Sequence, residues 1–195
     1  MMFKGKLVFP VFASFLILTV FACVSEAKTI YVPDDYTKIQ WAVDDASAGD
    51  TIVVRDGTYV ENIDINKPHL MIKSENGSAN CVVQAANSND HVFNVTADNV
   101  TIKGFTVTGA TGILKAGIYL YNSNNSRIEN VNASNNSLGI YLYYSSNNII
   151  DNTVSSNNDD GILLLESSNN TIANNTISSN NNDGIYLDYS NNNII

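Results

Sequence analysis

The segment Gly117-Ile118-Tyr119-Leu120-Tyr121 decides the fold of this chain, because close copies of it follow at regular intervals. The copies are Gly139-Ile140-Tyr141-Leu142-Tyr143, Gly161-Ile162-Leu163-Leu164-Leu165 and Gly184-Ile185-Tyr186-Leu187-Asp188. The four glycines stand at positions 117, 139, 161 and 184, so the period is 22 or 23 residues. A fixed period of this length without helical spacing is typical of a stacked solenoid.

Each repeat carries the hydrophobic pattern of β-strands. Ile140 and Leu142 alternate with tyrosines, as in a strand with one buried face, and a second short strand is predicted around Ile150 and Val154. A coil of this length is too short for a strand–helix–strand unit, which needs roughly 30 residues. The sequence therefore predicts an all-β fold, a right-handed parallel β-helix whose coils of about 22 residues stack at ~4.8 Å.

Asparagine occupies fixed columns of the repeat. The clearest column consists of Asn125, Asn147, Asn169 and Asn192. Stacked asparagine amides hydrogen-bond along such a column, and asparagine tolerates the left-handed backbone of a sharp corner. We therefore predict that these four residues form a structural ladder, and that the repeat glycines suit a corner for the same steric reason.

The chain before the regular repeats of residues 117–195 is predicted to contain irregular coils over residues 51–116. A capping helix is predicted over residues 36–48, because Thr37 to Gln40 form a capping-box pattern and the apolar residues that follow share one face. The last repeat ends without a similar lid. We therefore expect either a fragment or an end-to-end contact with another chain at that edge.

Residues 1–27 are predicted to be a cleaved signal peptide, which leaves residues 28–195 as one β-helix domain. Lys4 and Lys6 precede an apolar run, and small residues follow it at the positions that signal peptidase recognises. Two alternatives stay open: a retained membrane anchor, and a lipoprotein site at Cys23. The sequence thus predicts a secreted or extracytoplasmic protein.

Charge restricts the partners of this protein. The formal net charge is −9 at pH 7. This acidic balance argues against nucleic acid, whose phosphates need a basic surface, and against docking on anionic lipid. Beyond the alternative N-terminal anchor, we expect no membrane contact.

Two parts of the sequence resemble the right-handed β-helix family with NosD-like, pectate-lyase-type repeats. The first is the block around Ile39-Gln40-Trp41-Ala42-Val43 with Gly49-Asp50-Thr51-Ile52-Val53-Val54 and Asp56-Gly57-Thr58-Tyr59-Val60-Glu61-Asn62. The second is the Asn-Asn-x-Ile / Gly-Ile-x-Leu repeat, and the whole is especially similar to Asn-rich surface proteins of methanogenic archaea. The resemblance implies an extracytoplasmic location and frequent carbohydrate contact, but no single chemistry.

A catalytic set is not evident in the sequence. Lyases of this fold combine an aspartate cluster for calcium with a basic residue, yet only Arg55 and Arg127 are arginines and neither lies in a recognisable motif. Asp159-Asp160 superficially resembles the carboxylate pair of glycosidases, but its neighbours match the repeat corner. We therefore favour a protein that is not an enzyme, with a polysaccharide lyase, hydrolase or epimerase, or a fragment of one, as the alternative.

Metal sites receive little support from the sequence. Asp160 and Asp183 precede the glycines of successive coils, so their carboxylates should stack closely and repel each other unless a cation such as Ca²⁺ lies between them. Splayed, solvated carboxylates are the simpler expectation. Copper prefers clusters of His, Met or Cys, which the scattered His69, His91 and Cys81 do not form. No cofactor is expected.

An exposed aromatic face is the best functional candidate. If the Ile and Leu of each repeat point inward, the alternating tyrosines point outward. The residues concerned are Tyr119, Tyr121, Tyr141, Tyr143 and Tyr186. Tyrosine rings beside asparagine amides are suited to polysaccharide, cell-surface glycan or surface-protein partners, while the structural alternative is that the rings stack on each other. A purely structural surface scaffold is the third interpretation.

Overall fold

Residues 26–156 and 158–195 are described by a computed structural model, and they form one parallel β-helix. Each coil contributes one strand to each of three parallel sheets. Sheet A has seven strands, and sheets B and C have six each. The predicted all-β solenoid is therefore confirmed. The single strand predicted around Ile150 and Val154 is, however, two strands that belong to different sheets.

The strands are short and recur in the same order along the chain. Sheet A contains β1 (Thr29–Val32), β2 (Thr51–Val54), β5 (Met71–Ser74), β8 (Thr101–Lys103), β11 (Arg127–Glu129), β14 (Ile149–Asp151) and β17 (Thr171–Ala173). Sheet B contains β3 (Gly57–Val60), β6 (Cys81–Gln84), β9 (Thr106–Thr108), β12 (Asn132–Ser134), β15 (Val154–Ser156) and β18 (Thr176–Ser178). Sheet C contains β4 (Ile63–Ile65), β7 (Phe93–Val95), β10 (Ala116–Tyr121), β13 (Leu138–Tyr143), β16 (Asp160–Leu165) and β19 (Ile185–Asp188).

Apolar side chains pile into rows along the axis of the β-helix. In sheet C one row consists of Ile63, Phe93, Ile118, Ile140, Ile162 and Ile185, paired strand by strand. The row from Ile63 to Ile162 is almost completely buried, and it packs against similar rows of the other two sheets. The repeat period therefore sets the register, because every 22-residue step returns an apolar residue to the same row.

The helix that precedes the coils is shorter than predicted. Helix α1 spans Ile39–Asp45, and its N-cap residue Lys38 makes no side-chain capping bond, so the predicted capping box is wrong. Instead the carboxylate of Glu61 accepts the backbone N–H groups of Ile39 and Gln40 at 3.0 and 3.1 Å. A residue from a neighbouring coil thus satisfies the free N–H groups of the helix.

The sequence predicted left-handed corner glycines at the start of each repeat, and this prediction is wrong, because none of the repeat glycines has a positive φ. Gly139 lies inside β13, between Leu138 on the outer surface and Ile140 in the core. A Cβ added at Gly139 would lie 2.1 Å from Ser155 Oγ and 2.4 Å from the carbonyl oxygen of Gly161. Glycine is required because strand alternation is interrupted there and the next coil approaches too closely for a side chain.

The predicted asparagine column does form the corners. Asn125, Asn147, Asn169 and Asn192 all have left-handed backbones, with φ between 56° and 60°. Their side chains are exposed, however, and the hydrogen-bonded amide row lies one residue further along the chain, at Asn148, Asn170 and Asn193. The corner position and the amide ladder are thus two adjacent columns rather than one.

The remaining sequence predictions concern the ends and the loops. Most of the predicted signal peptide, including Cys23, lies outside the described residues. Across residues 26–156 and 158–195, no helix is long and apolar enough to cross a membrane. A loop precedes β10, and it exposes Ile113 and Leu114.

Candidate functional site

The outer surface of sheet C carries an aromatic patch, which we call the tyrosine face. It consists of the five predicted tyrosines, Tyr119, Tyr121, Tyr141, Tyr143 and Tyr186, with Leu163 and Leu165. One column runs Tyr119, Tyr141, Leu163, Tyr186, and a second runs Tyr121, Tyr143, Leu165, Asp188. The in-register coils thus bring together residues that are up to 67 positions apart in the sequence.

The rings of the tyrosine face pack against one another. The ring centroids of Tyr119 and Tyr141 are 4.9 Å apart, and those of Tyr121 and Tyr143 are 5.7 Å apart. Across the two columns, Tyr119 and Tyr121 are stacked at 6.1 Å. Such cross-strand aromatic pairs each stabilise a sheet by roughly 0.2–1 kcal/mol. The structural role that the sequence allowed is therefore compatible with this geometry.

Exposure differs strongly between the tyrosines. Tyr141 lies in the centre and is only 8% exposed, because its neighbours and Leu138 cover it. Tyr121 and Tyr186 lie at the margins and are 39% and 45% exposed. A ligand can therefore reach the marginal rings. Tyr121 packs against Tyr119 and Tyr143, whereas Tyr186 pairs with Leu163.

A buried histidine closes the N-terminal end of the tyrosine face. The ring of His91 stacks on Tyr119 with centroids 4.2 Å apart, and its Nδ1 accepts the backbone N–H of Ala116 at 3.0 Å. Burial, reinforced by Lys115, lowers the pKa of His91 to about 4. His91 is therefore neutral at pH 7 with the proton on Nε2, and it extends the aromatic stack.

Burial keeps the two inner tyrosine hydroxyls of the face neutral. It raises the pKa of the Tyr119 and Tyr141 hydroxyls above their ordinary value, and the neighbouring tyrosines add to the effect. At pH 7 these two hydroxyl groups are therefore uncharged, and they can donate or accept hydrogen bonds.

The corner beside the tyrosine face contains three functional candidates that the sequence prediction missed. Tyr144, Glu166 and Tyr189 follow the strands β13, β16 and β19, and all three have left-handed backbones with φ between 48° and 50°. The Tyr144 hydroxyl donates to the Glu166 carboxylate at 2.9 Å, and the Tyr144 ring stacks on Tyr143 at 4.3 Å. The residue type in this column changes from coil to coil, so the sequence repeat did not indicate that the three positions are equivalent.

Asp160 and Asp183, the two carboxylates that the sequence predicted to stack, lie in adjacent coils, as the register of the strands requires. One oxygen of Asp160 accepts the backbone N–H of Asp183 at 3.0 Å. Asp159 accepts bonds from Ser137 and Asn181 instead. Among the described residues, no three His, Cys, Asp or Glu side chains are grouped so that they could hold a metal ion. The carboxylates of Asp159 and Asp160 therefore act as hydrogen-bond acceptors at the corner. Ca²⁺ binding by Asp160 and Asp183 stays a prediction.

The other reactive residues are dispersed. Arg127 lies on sheet A, where it forms ion pairs with Glu129 and Asp151. Arg55 is bound by Asp34 and Glu75. Cys81 is buried in the core, and burial raises the pKa of its thiol to about 12, so it is an unreactive structural residue.

Comparison with known proteins identifies the repeat. The family model described as "Periplasmic copper-binding protein (NosD)" matches residues 43–195. A protein named "Cell surface glycoprotein" from Methanothermus fervidus is 40% identical over 108 residues. That match covers 54% of this chain and 17% of the relative, so the chain spans about a sixth of the relative's length.

Solved structures with the same fold include two polysaccharide lyases. The alginate lyase from Paenibacillus sp. str. FPU-7 superposes with a TM-score of 0.67 at 21% identity, over 84% of this chain and 65% of the lyase. Pectate lyase Pel9A superposes with a TM-score of 0.58 at 16% identity, over 82% of this chain and 56% of the lyase. At these identities the similarity establishes the fold alone.

The copper named in the family description does not fit the side chains that the structure describes. His91 is buried with Nδ1 engaged by a backbone N–H group, and Cys81 is enclosed in the core. His69 is exposed at the start of another coil. These groups do not converge, whereas copper sites need several soft or imidazole ligands in one place.

Proposed function

Because the chain belongs to the NosD family, we propose that it is an extracytoplasmic, non-catalytic β-helix protein that binds carbohydrate through the tyrosine face. The surface contacted by the ligand consists of the marginal rings Tyr121 and Tyr186, with Tyr144 beside them. The observation that carries the proposal is the accessible aromatic margin around a buried aromatic centre.

The chemistry of the tyrosine face supports this function. Aromatic rings contact the C–H surfaces of sugars, and tyrosine hydroxyl groups at the rim can bond to sugar hydroxyls. The Tyr121 ring is held against Tyr119 and Tyr143 at 6.1 and 5.7 Å, so it loses little side-chain freedom when a ligand binds.

The extracytoplasmic location has two lines of support. The family description contains the word periplasmic, and the relative from Methanothermus fervidus is named a cell surface glycoprotein. The apolar N-terminal run points the same way. We propose the location on these grounds, and secretion of a tagged chain into the medium or envelope fraction tests it.

A polysaccharide panel tests the binding function. The purified protein should bind at least one glycan, and the double substitution Tyr121→Ser with Tyr186→Ser should weaken that binding at least tenfold. Tyr31→Ser is the matched control, because Tyr31 is similarly exposed, at 37%, but lies on sheet A. Equal binding by the double variant and by the wild type would remove the tyrosine face as the site.

The same panel separates binding from catalysis. Release of unsaturated or reducing sugar is measured alongside binding for every polysaccharide. We expect no release, because no acid, base and cation set converges on the tyrosine face in the described part of the chain. Turnover of any member of the panel would favour the alternative, a polysaccharide lyase, hydrolase or epimerase.

A further inference from the structure

Carboxylates border the tyrosine face along its C-terminal coils. We propose that this face, with the corner of Tyr144, Glu166 and Tyr189, selects glycans that carry protonated amino groups and rejects polyuronates. The inference rests on the proposed carbohydrate function and adds the chemical class of the ligand. It differs from the chemistry of alginate and pectate, on which the lyases of the same fold are named to act.

The C-terminal coils carry many more acidic than basic residues. Residues 117–195 contain one basic residue, Arg127, and seven acidic residues. Arg127 lies on sheet A, where two carboxylates already bind it. The strands of sheet C contain no lysine or arginine. Lys115 lies beside His91, at the N-terminal end of the tyrosine face. Toward the C-terminal coils a uronate chain would therefore meet no counter-charge, while a cationic chain would be attracted.

The acidic groups lie on both sides of the tyrosines. Asp160 and Asp183 stand at one end of the strands, in the column that also contains Leu138. Asp188 and Glu166 stand at the other end, in the columns of Tyr143 and Tyr144. Asp160 and Glu166 are six residues apart, which is about 20 Å at ~3.3 Å per extended residue, so only a bound chain of several sugars can contact both groups of carboxylates.

The corner beside the face supplies a specific place for one amine. Glu166 is exposed; one of its carboxylate oxygens accepts the Tyr144 hydroxyl, and the other has no protein partner among the described residues. Tyr144 and Tyr189 are 42% and 80% exposed. An ammonium group that bonds to the second oxygen also lies near ring faces, and both contacts favour a cation over a neutral group.

Three oligosaccharides of equal length distinguish the ligand classes. They are an oligomer of glucosamine, its N-acetylated counterpart and an oligogalacturonate. We expect the glucosamine oligomer to bind at least tenfold more tightly than the acetylated one, and the oligogalacturonate to show no binding. Raising the salt concentration should weaken the first interaction, because exposed charge contacts are screened.

Two substitutions localise the effect. Glu166→Gln should weaken binding of the glucosamine oligomer about three- to tenfold. Tyr144→Asn should do the same without disturbing the corner, since asparagine is the usual residue at left-handed positions in this chain. Asp56→Asn is the control, because it removes the same charge from an exposed turn after β2.

The outcomes separate this inference from the proposed function. Equal binding of the acetylated and free-amine oligomers, or tight binding of the oligogalacturonate, overturns the inference and leaves carbohydrate binding intact. Equal affinity for an oligolysine of the same charge also overturns it, because the face would then bind any polycation. Absence of binding to every glycan overturns both.

Discussion

Asn148 donates its backbone N–H to the side-chain oxygen of Asn170, the equivalent residue of the next coil, at 2.8 Å. The side-chain nitrogen of Asn170 reaches back to the carbonyl oxygen of Ser145 at 3.1 Å. Asn148 itself bonds to the backbone N–H of Ser126 in the same way. Each amide therefore satisfies two buried backbone groups of the preceding coil at a corner where the sheet ladders are interrupted.

Asn148→Ala should destabilise the protein by about 1–3 kcal/mol, because it leaves a buried N–H and a buried carbonyl group without partners. Asn147→Gly is the matched control: Asn147 is exposed and left-handed, and glycine tolerates that backbone. Chemical denaturation of both variants gives the comparison. Equal losses in the free energy of unfolding of the two variants would contradict a stabilising role of the amide row at the corner.

The same repeat shows what the sequence could reveal and what it could not. The 22-residue period gave the interior row of Ile118, Ile140 and Ile162 correctly, because periodicity fixes which residues are stacked. The period does not indicate which member of an Asn-Asn pair points inward, because Asn147 and Asn148 are the same residue type. The left-handed backbone at the first asparagine decides this, by turning the second toward the core.

Non-local contacts were also beyond sequence reasoning. The cap of helix α1 comes from Glu61, which is 22 residues away from Ile39 and belongs to no local capping pattern. On the tyrosine face, strand alternation predicted correctly that Tyr119 and Tyr121 lie outside the core. It could not predict that Tyr141 is buried there, because burial on an outer surface depends on the side chains of both neighbouring coils.

Gly139→Ala should be strongly destabilising, by roughly 1–3 kcal/mol or more, because the new methyl group would overlap Ser155 Oγ and a backbone oxygen of the next coil. Gly184→Ala is the control at the equivalent position of a later coil. There the nearest atom to a Cβ is the Ile177 Cγ2, at 3.5 Å, so the change should be nearly neutral. A similar loss of thermal stability in both variants would contradict the packing explanation.

Glu61→Ala should loosen helix α1, because one buried and one partly buried backbone N–H group lose their acceptor. We expect a loss of about 1–3 kcal/mol. Trp41 is the only tryptophan in the chain and lies in this helix, so its fluorescence reports the local change. Glu75→Ala is the comparison: it breaks an exposed ion pair with Arg55 and should cost less than about 1 kcal/mol. An unchanged Trp41 signal in Glu61→Ala would contradict the capping role.

His91 should make stability depend on pH between about 6.5 and 4. Its pKa is lowered to about 4 in the folded protein, from an ordinary value of 6.5. Within this window the unfolded chain binds the proton and the folded chain does not, so stability falls as the pH falls. The loss should be roughly 1–2 kcal/mol after allowance for partial solvent access.

The variant His91→Asn separates this contribution from that of the carboxylates in the chain. The Oδ1 of asparagine occupies the place of the histidine Nδ1, so it retains an acceptor for the backbone N–H of Ala116 but has no proton to gain. Denaturation midpoints should therefore change less between pH 6.5 and 4 in the variant than in the wild type. Identical pH profiles would mean that His91 is freely protonated in the folded state.

Glycosylation should be restricted to a minority of the eight Asn-x-Ser/Thr sites. The amide nitrogens of four sites donate to carboxylates: Asn76 to Asp56, Asn94 to Asp64, Asn124 to Asp98 and Asn174 to Asp151. Asn132 has a buried amide oxygen. In contrast, Asn99, Asn135 and Asn169 are exposed at left-handed corners, and their side chains make no hydrogen bond among the described residues.

Peptide mass spectrometry of the protein secreted from a glycosylating host should therefore find glycan at Asn99, Asn135 and Asn169, because a glycan there projects outward without breaking a contact. Asn99→Gln should remove one glycan and leave folding unchanged. Asn124 is the informative negative site, since its amide oxygen also accepts the backbone N–H of Ser146. High occupancy at Asn124 in folded protein would show that hydrogen bonding between coils does not protect these amides.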